Sequence, residues 1–365
     1  MWTPPVDSDT RAAWTGSLAE RPNIPIRIEA ASYRGKPIYF ELIGPWTRPE
    51  RVQPYQQTTS QRVSLVLFIV LLLSLLVVGA MLARRNLRLG RGDCHGASRL
   101  AVVVVAAWSV AWAFGAHHVP TFDELGLFFG FFFWGLGWPC LIWVLYIALE
   151  PYVRRRWPAT LVSWSRLLAG DFRDPLVGRD VLVGCFLAPF SAALGGLVWV
   201  VFSWLGYPPP EPSASSPWLF RGERMIAADL AISLIWALFF WLAALFVLLL
   251  LRALLRNKWA AALAWVLFFT VFATTHNQVD LVSVVGDLLF LGLAVFVLIR
   301  FGLLALVANG VVYFILHNFP LTTQGSVWYA GISLSGILLI AAVALYAFYT
   351  SLGGRPVFGG AVLEE

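Results

Sequence analysis

Apolar residues in this chain come in long blocks, and the polar segments between the blocks alternate in kind. One set of segments is rich in arginine: Arg84 to Arg99, Arg154 to Arg179 and Arg252 to Lys258. The segments between them hold almost no Lys or Arg; beyond residue 62 only Arg221 and Arg224 fall there. Basic loops stay on the cytoplasmic side of a bilayer. The blocks are long enough to cross the ~30 Å hydrocarbon layer as helices. The pattern therefore predicts an all-α membrane protein. It is a polytopic helical bundle of about nine transmembrane helices, with a small β-rich N-terminal segment outside the membrane and an amphipathic helix on the inner face.

The expected spans are 63–83, 100–115, 125–149, 181–202, 225–251, 259–273, 281–299, 301–316 and 327–350, followed by a cytoplasmic tail at 351–365. Leu281 to Leu316 would make about 54 Å of continuous helix, too long for one crossing, and Arg300 and Gly302 interrupt it. Two spans joined by a tight inner turn fit best; a kinked helix or a re-entrant pair is the other reading. Asp171 to Asp180 reads as a charged turn ahead of the fourth span. The N-terminus is then outside and the C-terminus cytoplasmic, in the inner (plasma) membrane.

Residues 1–62 differ from the rest. Ile24 to Glu29 and Pro37 to Ile43 alternate apolar and polar positions, with the turn signal Arg34-Gly35 between them. That predicts two or three short strands, too few to bury a core of their own. Met1 to Ala31 is polar and Pro-rich, without the apolar core of a signal peptide. A further span upstream of Met1 would explain how such a segment reaches the outside.

At 157–170 the period changes. Trp157, Leu161, Trp164 and Leu168 recur on one helical face, Pro158 suits a first helical turn, and Arg166 with Arg154, Arg155 and Arg156 supplies the polar side. This predicts a helix lying among inner-leaflet headgroups, with Arg154, Arg155, Arg156, Trp157, Trp164 and Arg166 in contact with acidic lipid.

Composition agrees: 59% of the 365 residues are hydrophobic and 13% charged, against roughly 25% charged in a soluble domain. The formal net charge of +6 follows from the inner arginines, so the partner is the bilayer and not nucleic acid. Cys94, Cys140 and Cys185 form no CxxC pair, so neither a disulfide framework nor a zinc site is expected.

Few groups carry chemistry. Asp287 lies inside the seventh span, where a carboxylate costs about 2.5 to 3.5 kcal/mol; Asn309 on the eighth span is a candidate partner. The pair reads either as a proton or cation site or as an interhelical hydrogen bond. Asp229 lies one turn into the fifth span, where the helix N-terminal dipole favours it. His117, His118, His276 and His317 fall on outer turns and are weak candidates for a metal site, without any fixed ligand spacing. Ser335-Gly336 and Gly195-Gly196 read as close helix packing. There is no kinase glycine-rich loop, His-Arg-Asp or Asp-Phe-Gly, and no phosphate-binding Gly-x4-Gly-Lys-[Ser/Thr]. No catalytic residue and no cofactor is expected.

Glu150-Pro151-Tyr152-Val153-Arg154-Arg155-Arg156-Trp157-Pro158, Ser163-Trp164-Ser165-Arg166-Leu167-Leu168-Ala169-Gly170 and Arg173-Asp174-Pro175-Leu176-Val177-Gly178-Arg179-Asp180 resemble the multi-pass C-terminal membrane region of large bacterial transmembrane serine/threonine protein kinases. Arg84 to Asp93 and Ser351 to Gly360 are similar to that region too, and the likeness extends from about Tyr33 onward. The resemblance implies a sensor or anchor module of a signalling protein. Its partners would be a cytosolic kinase domain or a second copy. The kinase domain is not in this chain, so no catalytic residue is carried over. Two readings from other classes stand beside it: a small-solute or proton-coupled transporter using Asp287, and an intramembrane metal-dependent enzyme.

Overall fold

The computed structural model describes residues 7–18, 21–47, 59–206, 216–276 and 281–355. Three antiparallel strands, β1 (Thr10–Leu18), β2 (Arg21–Tyr33) and β3 (Lys36–Ile43), form a sheet in the order β1-β2-β3. The β2–β3 hairpin closes on Arg34 and Gly35, with φ of 52° and 76°. Two positive φ values in a row suit the right-handed strand twist. The strands are longer than alternation alone indicated, and β1 joins them. Ala31 and Glu29 are buried, while Trp14, Phe40 and Trp46 are exposed. β3 touches the 3-10 turn Pro217–Arg221 of the helical part.

Among the described residues eleven α-helices follow: α1 (Thr59–Arg88), α2 (Cys94–Gly115), α3 (Asp123–Gly135), α4 (Gly137–Arg156), α5 (Pro158–Ala169), α6 (Pro175–Trp204), α7 (Arg224–Leu255), α8 (Lys258–His276), α9 (Leu281–Arg300), α10 (Leu303–Asn318) and α11 (Ala330–Ser351). Five stretches among the described residues are long and apolar enough to cross a membrane: Cys94–Gly115, Asp123–Arg156, Pro175–Val198, Arg224–Leu255 and Ala330–Ser351. The bundle turns large apolar side chains outward, with Val102 66%, Phe133 79% and Leu338 58% exposed. An outer surface of that kind belongs in hydrocarbon, since water-facing surfaces seldom carry contiguous apolar area. α7 is the central element: its middle runs through the core from Ala231 to Leu249, packed against α2, α4, α8 and α10.

Where the expected third span lies, the structure has two helices. Asp123–Arg156 would be about 51 Å if straight. It breaks at Leu136, because Pro139 has no N–H to give Gly135 and its ring displaces that carbonyl. The next bond, Cys140 N to Leu136 O, is stretched to 3.5 Å. The charged turn expected at Asp171 to Asp180 is shorter than that: Asp174 accepts from Leu176 N at 2.8 Å and caps α6, which starts at Pro175. Pro at the first position suits the cap.

The run from Leu281 to Leu316 is an antiparallel hairpin. It reverses at Phe301-Gly302, where Gly302 takes φ 98°. A Cβ on Gly286, near the start of α9, would strike Val198 late in α6. Early in α6, Gly184 lies against Ala305 of α10. So α9 runs against α6, and α10 runs with it.

Candidate functional site

All the basic segments meet at one end of the bundle. Asn86 of α1 is buried and donates to the Ile147 and Ala148 carbonyls of α4 at 2.9 and 3.3 Å. Arg99 at the start of α2 donates to Leu168 O at 2.5 Å. Arg252 at the end of α7 stacks 4.4 Å from the Trp157 ring centroid. Gly302 approaches the Thr160 carbonyl so closely that a Cβ would stand 2.7 Å from it. Tyr346 near the end of α11 donates to Phe172 O at 2.5 Å.

At the centre of this end sits α5, in contact with α2, α4, α6, α9 and α10. Its apolar stripe does face one way, but toward protein. Leu161 and Trp164 are 4% and 2% exposed and belong to the main core; Trp157, Leu167 and Leu168 pack against that core. Trp164, expected among headgroups, is buried in protein, because the bundle offers its stripe a complementary apolar seat. The polar side remains outward. Arg155 and Arg156 are exposed, and Arg166 pairs with Asp174 at 2.6 Å. Arg154, 60% exposed at its side chain, stands 2.5 Å from Glu150, which is 1% exposed. The two are four residues apart, neighbours on one face of α4.

The opposite end holds a polar cluster that local sequence did not reveal. Asp229, 1% exposed, accepts from the Trp218 indole Nε1 at 2.9 Å and from Asn318 Nδ2 at 3.2 Å. Trp218 comes from the 3-10 turn, Asp229 from α7 and Asn318 from the end of α10. Leu219, Met225, Ile315 and Phe319 close the cluster with apolar contacts. Asp229 is thus a buried junction of three elements, and more than an interfacial group favoured by a helix dipole. Beside it, Arg224 Nη1 donates to Ala116 O at 3.3 Å.

Within the bundle, the partner that the structure gives Asn309 is Ser191 Oγ of α6, at 3.3 Å. Both residues are buried. This bond ties α10 to α6, as an interhelical packing bond does. Asp287 is half-buried on α9 and exerts its charge on Tyr313 of α10. The large cavity between α6 and α9, about 560 Å³ and lined by Phe186, Phe190, Leu197 and Leu293 among others, is apolar. Asp287 lines neither this cavity nor a smaller one beside Arg252.

Of the histidines expected on outer turns, His118 and His317 have local partners. His118 bonds to Glu124 and, at 3.0 Å, to Ala113 O. The Glu124 hydrogen bond, then the Ala113 carbonyl, raise its pKa above the ordinary value. His317 stacks on Tyr313, ring centroids 5.7 Å apart. His117 is exposed, and the side chain of His276 lies outside the described residues. Among the described residues no three His, Cys, Asp or Glu side chains come together as metal ligands. Ser335 Oγ donates to its own helix at Ile332 O, 2.7 Å away, and Gly336 receives the Phe319 ring. Gly195 and Gly196 depart from the packing reading: a Cβ on either would meet nothing within 4 Å.

No family model matches the chain, and no curated protein or solved structure matches it either.

Proposed function

We propose that this chain is the membrane-embedded sensor and anchor region of a bacterial serine/threonine kinase-type signalling protein. It lies in the inner (plasma) membrane and crosses nine times, through α1, α2, α3–α4, α6, α7, α8, α9, α10 and α11. The N-terminus is outside and the C-terminus cytoplasmic, with acidic headgroups around the basic end. A cytosolic kinase domain, or a second copy of the chain, is the partner.

The observation that carries this reading is the seat of α5. A helix held by five others at the arginine-rich end moves when they move, and Arg155 and Arg156, exposed at the end of α4 just ahead of it, present that movement to whatever lies beyond the membrane. The resemblance of the Glu150 to Asp180 segment adds the class of partner. Transport through Asp287 has less behind it, since neither described cavity is lined by that residue. Metal-dependent catalysis lacks a ligand cluster among the described residues.

Reading the gene upstream of Met1 tests the proposal. An in-frame serine/threonine kinase domain is expected. A stop codon immediately upstream, with no kinase gene beside it, would overturn the reading.

A further inference from the structure

At the arginine-rich end, α4–α5, α7, α8 and α9 enclose a small pocket of about 60 Å³. Its polar lining is Arg252, Lys258, Trp157 and Thr160; Leu248 and Leu298 are part of its apolar floor. No carboxylate lines it. Two cations in one pocket repel one another unless an anion joins them.

Arg252 is held for that purpose. The Trp157 ring lies 4.4 Å from its guanidinium carbon, a cation–π contact that uses the guanidinium face. That contact leaves the in-plane edge of the guanidinium for hydrogen bonding. Nη1 is fully buried, and no protein group accepts from it. A buried donor left unpaired costs about 1 to 3 kcal/mol, and more when charged. Planar guanidinium edges match phosphate oxygens in pairs, and a lysine ammonium adds a point charge.

Size narrows the ligand. Cofactor and drug-sized sites run to roughly 300 to 1,000 Å³, far larger than this pocket. About two waters would fill it, which is the scale of a single tetrahedral oxyanion. The apolar wall continues to Ile299, which is 53% exposed on the outward surface of the bundle. A chain attached to the anion would leave along that wall. Basic pockets between membrane helices on the cytoplasmic side hold lipid phosphates.

We infer that Arg252, Lys258, Trp157 and Thr160 form a specific site for the phosphate of an anionic phospholipid, whose acyl chain runs down Leu298 and Ile299. This rests on the membrane reading and is independent of the signalling one. Bound there, the lipid touches Trp157 and Thr160, the residues that open α5.

Native mass spectrometry of the full chain in detergent tests the site, with phosphatidylglycerol and phosphatidylcholine of identical acyl chains as probes. Wild type is expected to retain phosphatidylglycerol about tenfold better, equivalent to ~1.4 kcal/mol. Arg252→Gln with Lys258→Gln should abolish that preference, whereas Arg85→Gln with Arg88→Gln, the same loss of charge at exposed positions, should leave it intact. Equal retention of both lipids by wild type would overturn the site, as would an equal loss in the exposed pair. Displacement of phosphatidylglycerol by millimolar inorganic phosphate would assign the pocket to free phosphate and overturn the lipid. If the double variant does not fold, Lys258→Gln alone decides: undiminished preference for phosphatidylglycerol rejects the proposal.

Discussion

The indole N–H of Trp218 donates to the buried carboxylate of Asp229 across 2.9 Å. The Asn318 amide reaches the same carboxylate from α10. Removing the acceptor strands both donors, at about 1 to 3 kcal/mol each. Asp229→Ala should therefore lower stability in a detergent unfolding titration by several kcal/mol. Asp229→Asn keeps an acceptor oxygen and should cost clearly less. Equal losses would show that the cluster contributes only through its shape.

Orientation is open to chemical labelling. Cys94 and Cys140 are exposed, so the experiment starts from a variant in which they are replaced. A membrane-impermeant maleimide on whole cells should then label Ser213→Cys and leave Ser98→Cys unmodified until the cells are broken. The opposite result would invert the topology.

His118 predicts a pH dependence. Its hydrogen bond to Glu124, then that to Ala113, raise its pKa in the folded state above the ordinary 6.5. A raised folded pKa stabilises fully below the unfolded value, and the gain disappears as pH climbs through the folded value. The Tm of wild type should therefore exceed that of Glu124→Gln below about pH 6.5. The gap should close as pH rises past the folded pKa of His118. A gap independent of pH would mean that the pair does not titrate.

Gly302 predicts the strength of the α5–α10 contact. Its φ of 98° is glycine territory, and a Cβ would stand 2.7 Å from the Thr160 carbonyl. Gly302→Ala should cost about 1 to 3 kcal/mol from backbone strain alone. The clash should also loosen α5. Limited proteolysis at Arg166 should accelerate in this variant, while Gly195→Ala, which meets open space, should leave the cleavage rate unchanged.

Several helix ends coincide with arginines, the residues from which the sequence analysis placed the ends of the apolar blocks. α1, α4 and α9 end on Arg88, Arg156 and Arg300, and α7 ends three residues after Arg252. The face of α5 was readable too, from Trp157, Leu161, Trp164 and Leu168. What that face touches was not, because periodicity reports apolarity and both hydrocarbon and protein core are apolar. The same ambiguity separates Gly184, pressed on α10, from Gly195, which meets nothing: small residues look alike until a neighbour is named. The Asp229 cluster was out of reach for another reason. Its donors are 11 and 89 residues away in the chain, and no local spacing joins them.

One helix links the latch on Asp229 to the stacked guanidinium of Arg252. α7 is unbroken from Arg224 to Leu255, so these two residues are fixed points on a single strut roughly 35 Å apart. The β3 strand leans on the 3-10 turn that carries Trp218, and Trp157 under Arg252 opens α5. The sheet at one end of the bundle and α5 at the other are thus joined through one continuous helix, with no relay of side chains between.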